Sequence, residues 1–210
     1  MQSNNISIFA IDKQTTEMKT INEILKMRAC VLYVAQSFDE GLDFIKLFKI
    51  LYFAQREHLV KYGRGVIGDT FHALRFGPVP SFIYKALQIA QGKMKVEKDF
   101  ESFLKGIEVN SSLIRTLEKP DMDELSESDI KSLDKYIKKY HNYKSYALSG
   151  ISHNDKAWKQ ASKRAEDDPE KDIMTCIDIA RAGNAKEGII EYIKENIEID
   201  KMLNRWEGLK

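Results

Sequence analysis

Residues 42–54 read Leu-Asp-Phe-Ile-Lys-Leu-Phe-Lys-Ile-Leu-Tyr-Phe-Ala, and the apolar positions Phe44, Ile45, Leu47, Phe48, Ile50, Leu51 and Phe53 cover nearly every side of a helix. A helix of that kind has few faces left for water, so it is predicted to run through the middle of the fold. The run is about thirteen residues long and contains Lys46 and Lys49. That is well short of the roughly twenty apolar residues a membrane span requires. Gly41 breaks the preceding pattern, so the helix is predicted to begin near Leu42. It should end near Tyr62, where Gly63, Gly65 and Gly68 punctuate the chain.

Upstream, Ile24, Leu25, Met27, Val31, Leu32, Val34 and Ala35 recur at helical spacing, with Asn22 as a candidate N-cap. Residues 1–20 are polar apart from Ile6, Ile8, Phe9 and Ile11, and read as a short strand or a frayed tail. Downstream, the aromatic and β-branched content of residues 70–76 suits a short strand or an irregular turn. Gly77-Pro78-Val79-Pro80-Ser81 is expected to stop it, because proline does not fit inside a regular element. Pro80 and Ser81 then suit the first turn of a helix over 82–91, closed by Gly92.

Ile107–Val109 and Leu113–Leu117, separated by Asn110-Ser111-Ser112, read as a small hairpin. A turn over Asp121–Leu125 precedes a strong helix start at Ser126, whose side chain can cap the amide of Asp129. Helices are predicted over 127–141, 143–149, 154–166, 173–181 and 185–203, the last opened by Asn184. The expected fold class is α+β, predominantly α-helical: a compact helical domain with one or two short β-hairpins or strands. Residues 1–20 form an N-terminal segment and 21–166 the helical domain. Helices within 167–210 are expected to pack on that domain beyond a joint at Asp167-Asp168-Pro169.

Of the 210 residues, 43% are hydrophobic and 31% charged, ordinary proportions for a water-soluble globular chain. Lys+Arg (33) nearly balance Asp+Glu (32), with residues 1–100 mildly basic and the rest mildly acidic. No strong field follows, so neither nucleic acid nor a membrane is the expected partner. Cys30 and Cys176 sit among apolar neighbours and form no CxxC pair. His58, His72, His141 and His153 lack metal-ligand spacing, so no metal or other cofactor is expected. The N-terminus has no signal-peptide pattern, and the cytoplasm is the expected location.

Three patterns invite a chemical reading. Ser152-His153 followed by Asp155 resembles a triad, but side chains so close in sequence diverge. Ser152 reads instead as the cap of the helix containing Ala157 and Trp158. Gly63-x-Gly65 resembles part of a phosphate loop, yet no Gly-Lys-Ser/Thr follows and a long helix precedes it. A helix C-cap and tight loop is the plainer reading. Tyr136, Tyr140, Tyr143 and Tyr146 alternate with Lys135, Lys138, Lys139 and Lys144. That is either a nucleic-acid stacking platform or a solvated face whose tyrosines cover the core, and the balanced charge favours the second.

Taken together, Lys49-Ile50-Leu51-Tyr52-Phe53-Ala54, His58-Leu59, Tyr62-Gly63, Gly68-Asp69, Phe71-x-Ala73 and Gly77-Pro78-Val79 resemble the Panacea domain, also called the SocA-like antitoxin domain and often described as a phage-associated protein. Leu125-Ser126-x-x-Asp129 and Ser152-His153-x-x-x-Ala157-Trp158 resemble its further signatures, so the likeness runs from about Met27 to Ala161. This chain carries Leu74 where the family commonly has tryptophan before the Gly-Pro-Val turn.

The resemblance implies a non-enzymatic antitoxin that binds and neutralises a cognate toxin made from an adjacent gene in a bacterial or phage toxin–antitoxin pair. A related role implied by it is an adaptor that delivers the toxin to a Clp-type protease. An enzyme or nucleotide-binding protein using the Gly63–Asp69 loop with His72 or His153 is the alternative from another class. For the binding role, the segment between Gly63 and Phe82 is the candidate surface, through strand addition or apolar anchors. Phe71, Phe76, Pro78 and Phe82 would supply contact area, with Arg64, Asp69 and Arg75 setting register at the rim. Tyr52, Gly63, Gly68, Gly77, Val79, Ser152, His153 and Trp158 are the motif positions expected to act structurally.

Overall fold

The central helix α2 spans Phe44–Tyr62, and its N-cap explains where it starts: the Asp43 carboxylate accepts from the amides of Ile45 and Lys46. It stops at Gly63, which takes the left-handed conformation at φ 67. Twelve of its nineteen residues are buried, including Lys49, Gln55 and His58, which confirms a helix enclosed on most sides. The computed structural model describes residues 19–95 and 98–207. The expectations for residues 1–18 therefore lie outside the described residues.

Around α2 the described chain places α1 (Ile21–Ala35), β1 (Leu42–Asp43), β2 (Phe71–Leu74), β3 (Gly77–Pro80), α3 (Ser81–Ala90), α4 (Lys98–Leu104), β4 (Ile107–Asn110) and β5 (Leu113–Thr116). There follow α5 (Glu127–Tyr140), α6 (Ser145–His153), α7 (Lys156–Asp167), β6 (Ile173–Met174), α8 (Cys176–Ala182) and α9 (Glu187–Glu207). The strands form two antiparallel three-stranded sheets, ordered β1-β5-β4 and β3-β2-β6. The fold is therefore predominantly helical α+β, as the hydrophobic periodicity predicts.

Helices α5, α6 and α8 and strand β3 pack directly on α2. Phe53 shows how: its ring stacks on Tyr136 at 5.8 Å and tilts against Tyr140 at 5.4 Å. Two of the four tyrosines that alternate with lysine therefore face the core, while Tyr143 and Tyr146 face solvent. Ile190 and Ile193 bring α9 into the same hydrophobic cluster. Cys30 is fully buried, and burial pushes its thiol up to about 12.

Several local expectations are corrected. Thr20, not Asn22, caps α1, through a capping box with Glu23. Leu42 and Asp43 pair with Ile114 and Leu113 instead of opening α2. Asp155, not Ser152, caps α7. Ile173–Met174 is a strand bonded to β2, so α8 starts only at Cys176, capped by Thr175. Asn184 has a left-handed φ of 62 and lies before α9, which begins at Glu187.

The largest correction is at Pro78 and Pro80, which sit inside a regular strand, β3, paired with β2. The Arg75-Phe76 turn has two residues, which makes Leu74 and Gly77 a hydrogen-bonded pair and His72 and Val79 the next. Ser81 N donating to Thr70 O at 2.9 Å keeps that parity. Both prolines fall on the intervening pairs, where the backbone nitrogen points away from β2 and no N–H is required. β3 is also an edge strand, where proline is tolerated.

Candidate functional site

The residues of the Gly-Pro-Val and Ser-His…Trp motifs meet at the β2–β3 turn. Trp158 Nε1 of α7 donates to Leu74 O at 3.1 Å, and Ser149 Oγ of α6 donates to Phe76 O at 3.1 Å. Lys49 Nζ of α2 donates to Pro78 O at 2.9 Å, and His153 faces the carbonyl of Arg75. A turn pressed against helices turns its carbonyls away from water, and each needs a donor from the protein. Four side chains from three helices supply them.

This arrangement is tight. Gly77 has φ 100, and a Cβ there would run into Ser152 Oγ and come within 2.8 Å of Lys49 Cε. Glycine is therefore required both for the backbone conformation and for the space. Ser152 is fully buried against Gly77 and donates within α6 to Ser149 O at 2.9 Å, while the Ser149 Oγ bond to Phe76 O ties α6 to the turn. The His153 ring stacks on Trp158 at 4.2 Å, leaving its Nε2 buried without a hydrogen bond. Burial holds the His153 pKa below the ordinary histidine value, opposed by the Arg75 carbonyl. Burial also lowers Lys49 to about 7, with the carboxylate of Asp43 opposing.

Beside this cluster, Asp155 joins α2 to α7. Its carboxylate accepts from Tyr52 OH at 2.8 Å, pairs with Arg56 and caps Ala157 N at 2.9 Å. Burial, and then the neighbouring Asp155 charge, raise the Tyr52 phenol. A second polar centre lies on the other side of α2. His58 Nδ1 donates to Arg64 O at 2.8 Å, and its Nε2 lies 3.1 Å from Ser128 Oγ and 3.3 Å from Asp129 Oδ1. Oδ1 makes no hydrogen bond, while Oδ2 accepts from Ser126 Oγ at 2.7 Å and from Lys26 Nζ at 3.1 Å. The expected capping of Asp129 by Ser126 is present and forms part of this larger network.

The glycine loop is similarly occupied. Gln55 Oε1 accepts from Val66 N at 2.7 Å and Ile67 N at 3.1 Å, and the Gln55 carboxamide fills the place of a Cβ on Gly65. Tyr192 of α9 lies on Gly63 in the same manner, and Gly68 is exposed beside Glu23. These loop amides face the protein, not a phosphate. His72 Nδ1 is bonded to Asp172 Oδ1 at 2.7 Å and His153 to the hairpin turn. Among the described residues no hydrogen bond or ion pair joins His72, His153 and the loop.

Of the expected contact residues, burial removes four from the surface: Asp69, Phe71, Pro78 and Phe82. Asp69 caps α3 from a distance, accepting from Phe82 N and Ile83 N at 3.0 Å each and from Ser81 Oγ at 3.2 Å. Phe71 packs edge-on to Tyr52, and Phe82 stacks on Phe100 at 4.6 Å. Strand addition to β2 is blocked, since β3 and β6 flank it. Val79 is also buried.

Three candidates remain at or near the surface. Arg75 is exposed with its guanidinium over the half-buried Phe76 ring, and Arg64 is exposed but bonded to Ser128 Oγ at 2.8 Å. Gln55 and Ser149 organise the site and were not singled out in the sequence, while Lys49 and Asp155 were noted there without the roles the structure gives them. The signal for Lys49 was a charge inside an otherwise apolar helix face.

The family model described as antitoxin SocA-like, Panacea domain, matches residues 47–159, more than half of the chain. No curated protein and no solved structure matches.

Proposed function

The chain belongs to the SocA-like antitoxin family, Panacea domain, and from that membership we propose that it neutralises a cognate toxin by direct binding, as the antitoxin of a bacterial or phage toxin–antitoxin pair. The observation that carries the reading is how the family's own motif residues are used. Lys49, His153 and Trp158 bond to carbonyls of one β-hairpin, Ser152 packs against its Gly77, and beside them Asp155 fastens α2 to α7. They build a rigid scaffold, and a scaffold that presents a surface is what a binding protein needs.

Among the described residues, no helix is long and apolar enough to cross a membrane, and no group of three or more His, Cys, Asp or Glu side chains could hold a metal ion. The test is co-expression with the product of the adjacent gene. That product should arrest growth alone, and this chain should restore growth and co-purify with it. A harmless product, or rescue without a complex, sinks the proposal.

A further inference from the structure

Helix α6 has two uncommitted features on its outer side. Leu148, Ser149 and Ser152 face inwards, whereas Tyr146, Ala147, Gly150 and Ile151 are exposed on the opposite side at helical spacing. Tyr146 is 86% exposed, the highest value for a large apolar side chain among the described residues. No Lys, Arg, Asp or Glu occurs from Ser145 to Asn154. A surface helix ordinarily places charge on its outer face. Here that face is apolar and flanked by cations.

Lys144 is the N-cap of α6, and Lys156 opens α7 just beyond its end. Lys159 and Lys163 continue the exposed side of α7, which packs against α6. Arg75 joins them from the hairpin turn, held beside α6 by the His153 contact to its carbonyl. From residue 135 to residue 165 the sole carboxylate is Asp155, which is buried and paired with Arg56. Among the described residues none of these four lysines has an ion-pair partner. In a chain of net charge +1 this is a local concentration of positive charge.

We infer that the outer face of α6 is the docking surface for the partner, and that the partner meets it with an apolar patch ringed by carboxylates. Tyr146 and Ile151 are the anchors. Between them Ala147 and Gly150 let a partner backbone approach closely, and at Gly150 no atom lies within 4 Å of the missing Cβ. Arg75, Lys144, Lys156 and Lys159 form the rim that selects an acidic partner and speeds its approach. Single-stranded nucleic acid fits less well. It requires successive stacking aromatics, and Tyr136 and Tyr140 are buried.

This inference rests on the antitoxin reading and is tested separately from it. The full chain and its variants are titrated with the purified product of the adjacent gene. Tyr146→Ala, Gly150→Gln and the double change Lys144→Glu with Lys156→Glu should each weaken binding at least ~tenfold. Their melting temperatures should not fall below that of the unchanged chain, with a small rise for Gly150→Gln, and Lys194→Glu on α9 should bind normally. Affinity should also fall with added salt.

If the unchanged chain binds and all three variants bind equally well, this inference is overturned and the antitoxin reading stands. A chain that binds no adjacent-gene product defeats the antitoxin reading and, with it, this one. Oligonucleotide binding that is lost in the same three variants, with protein binding unaffected, assigns the face to nucleic acid and overturns the inference.

Discussion

Lys49 Nζ donates to the carbonyl of Pro78 at 2.9 Å from a side chain with no solvent exposure. The bond joins the central helix to the edge strand across 29 residues of sequence. It also places an ionisable amine where water does not reach.

Burial lowers the folded pKa of Lys49 from 10.5 to about 7, so its protonation opposes folding. A depressed folded pKa means that stability is fully present above the unfolded value and is lost as pH falls towards the folded one. Between about pH 7 and pH 10, the stability contributed by this group should therefore rise with pH. Lys49→Met should flatten that rise in urea-unfolding midpoints measured across the window. An unchanged slope would show that Lys49 is not the group responsible.

Gly77 and Gly150 should respond oppositely to alanine. At Gly77 the positive φ and the collision with Ser152 and Lys49 should together cost about 2–5 kcal/mol. At Gly150, helical and open, alanine should stabilise by about 0.5–1 kcal/mol. Denaturant unfolding of the two variants checks both signs.

Asp69→Ala should lower stability by about 1–2 kcal/mol through loss of the α3 cap. Because the side chain is buried, its effect on partner binding should follow the loss of fold. Binding measured where the variant is fully folded should match the unchanged chain; a specific binding defect there would return Asp69 to the surface of interaction.

His58 should titrate abnormally low, because burial outweighs the nearby Asp129 carboxylate. Its contribution to stability is complete above the ordinary histidine value of about 6.5 and is lost as pH falls through the lowered folded value. His153 is lowered for the same reason and acts in the same direction. Imidazole NMR shifts should show both rings less protonated than free histidine at the same pH. A normal midpoint for His58 would contradict the burial argument.

The parts of the fold that are local were legible in the sequence. Periodicity located α2, Ser126 and Asp129 announced the start of α5, and the β4–β5 hairpin followed from two short strands around a serine turn. Each depends on groups a few residues apart. β6 was not legible, since two residues carry no period and its pairing with Phe71 and His72 spans about a hundred positions. Pro78 and Pro80 were misread for a related reason: proline excludes a residue from a ladder only where its nitrogen must donate, and that parity is set by pairing.

The candidate surface divided in the same way. By itself the sequence determined that this chain is mostly helical, that one apolar helix lies at its centre, and which motifs it carries. Tertiary structure alone decided that Asp69, Phe71, Pro78 and Phe82 are interior and that Tyr146 and Ile151 are not. Helix and turn propensities act over a few residues. A buried polar group instead takes whichever partner packing brings to it, and Tyr52 finds Asp155 at a separation of 103 residues.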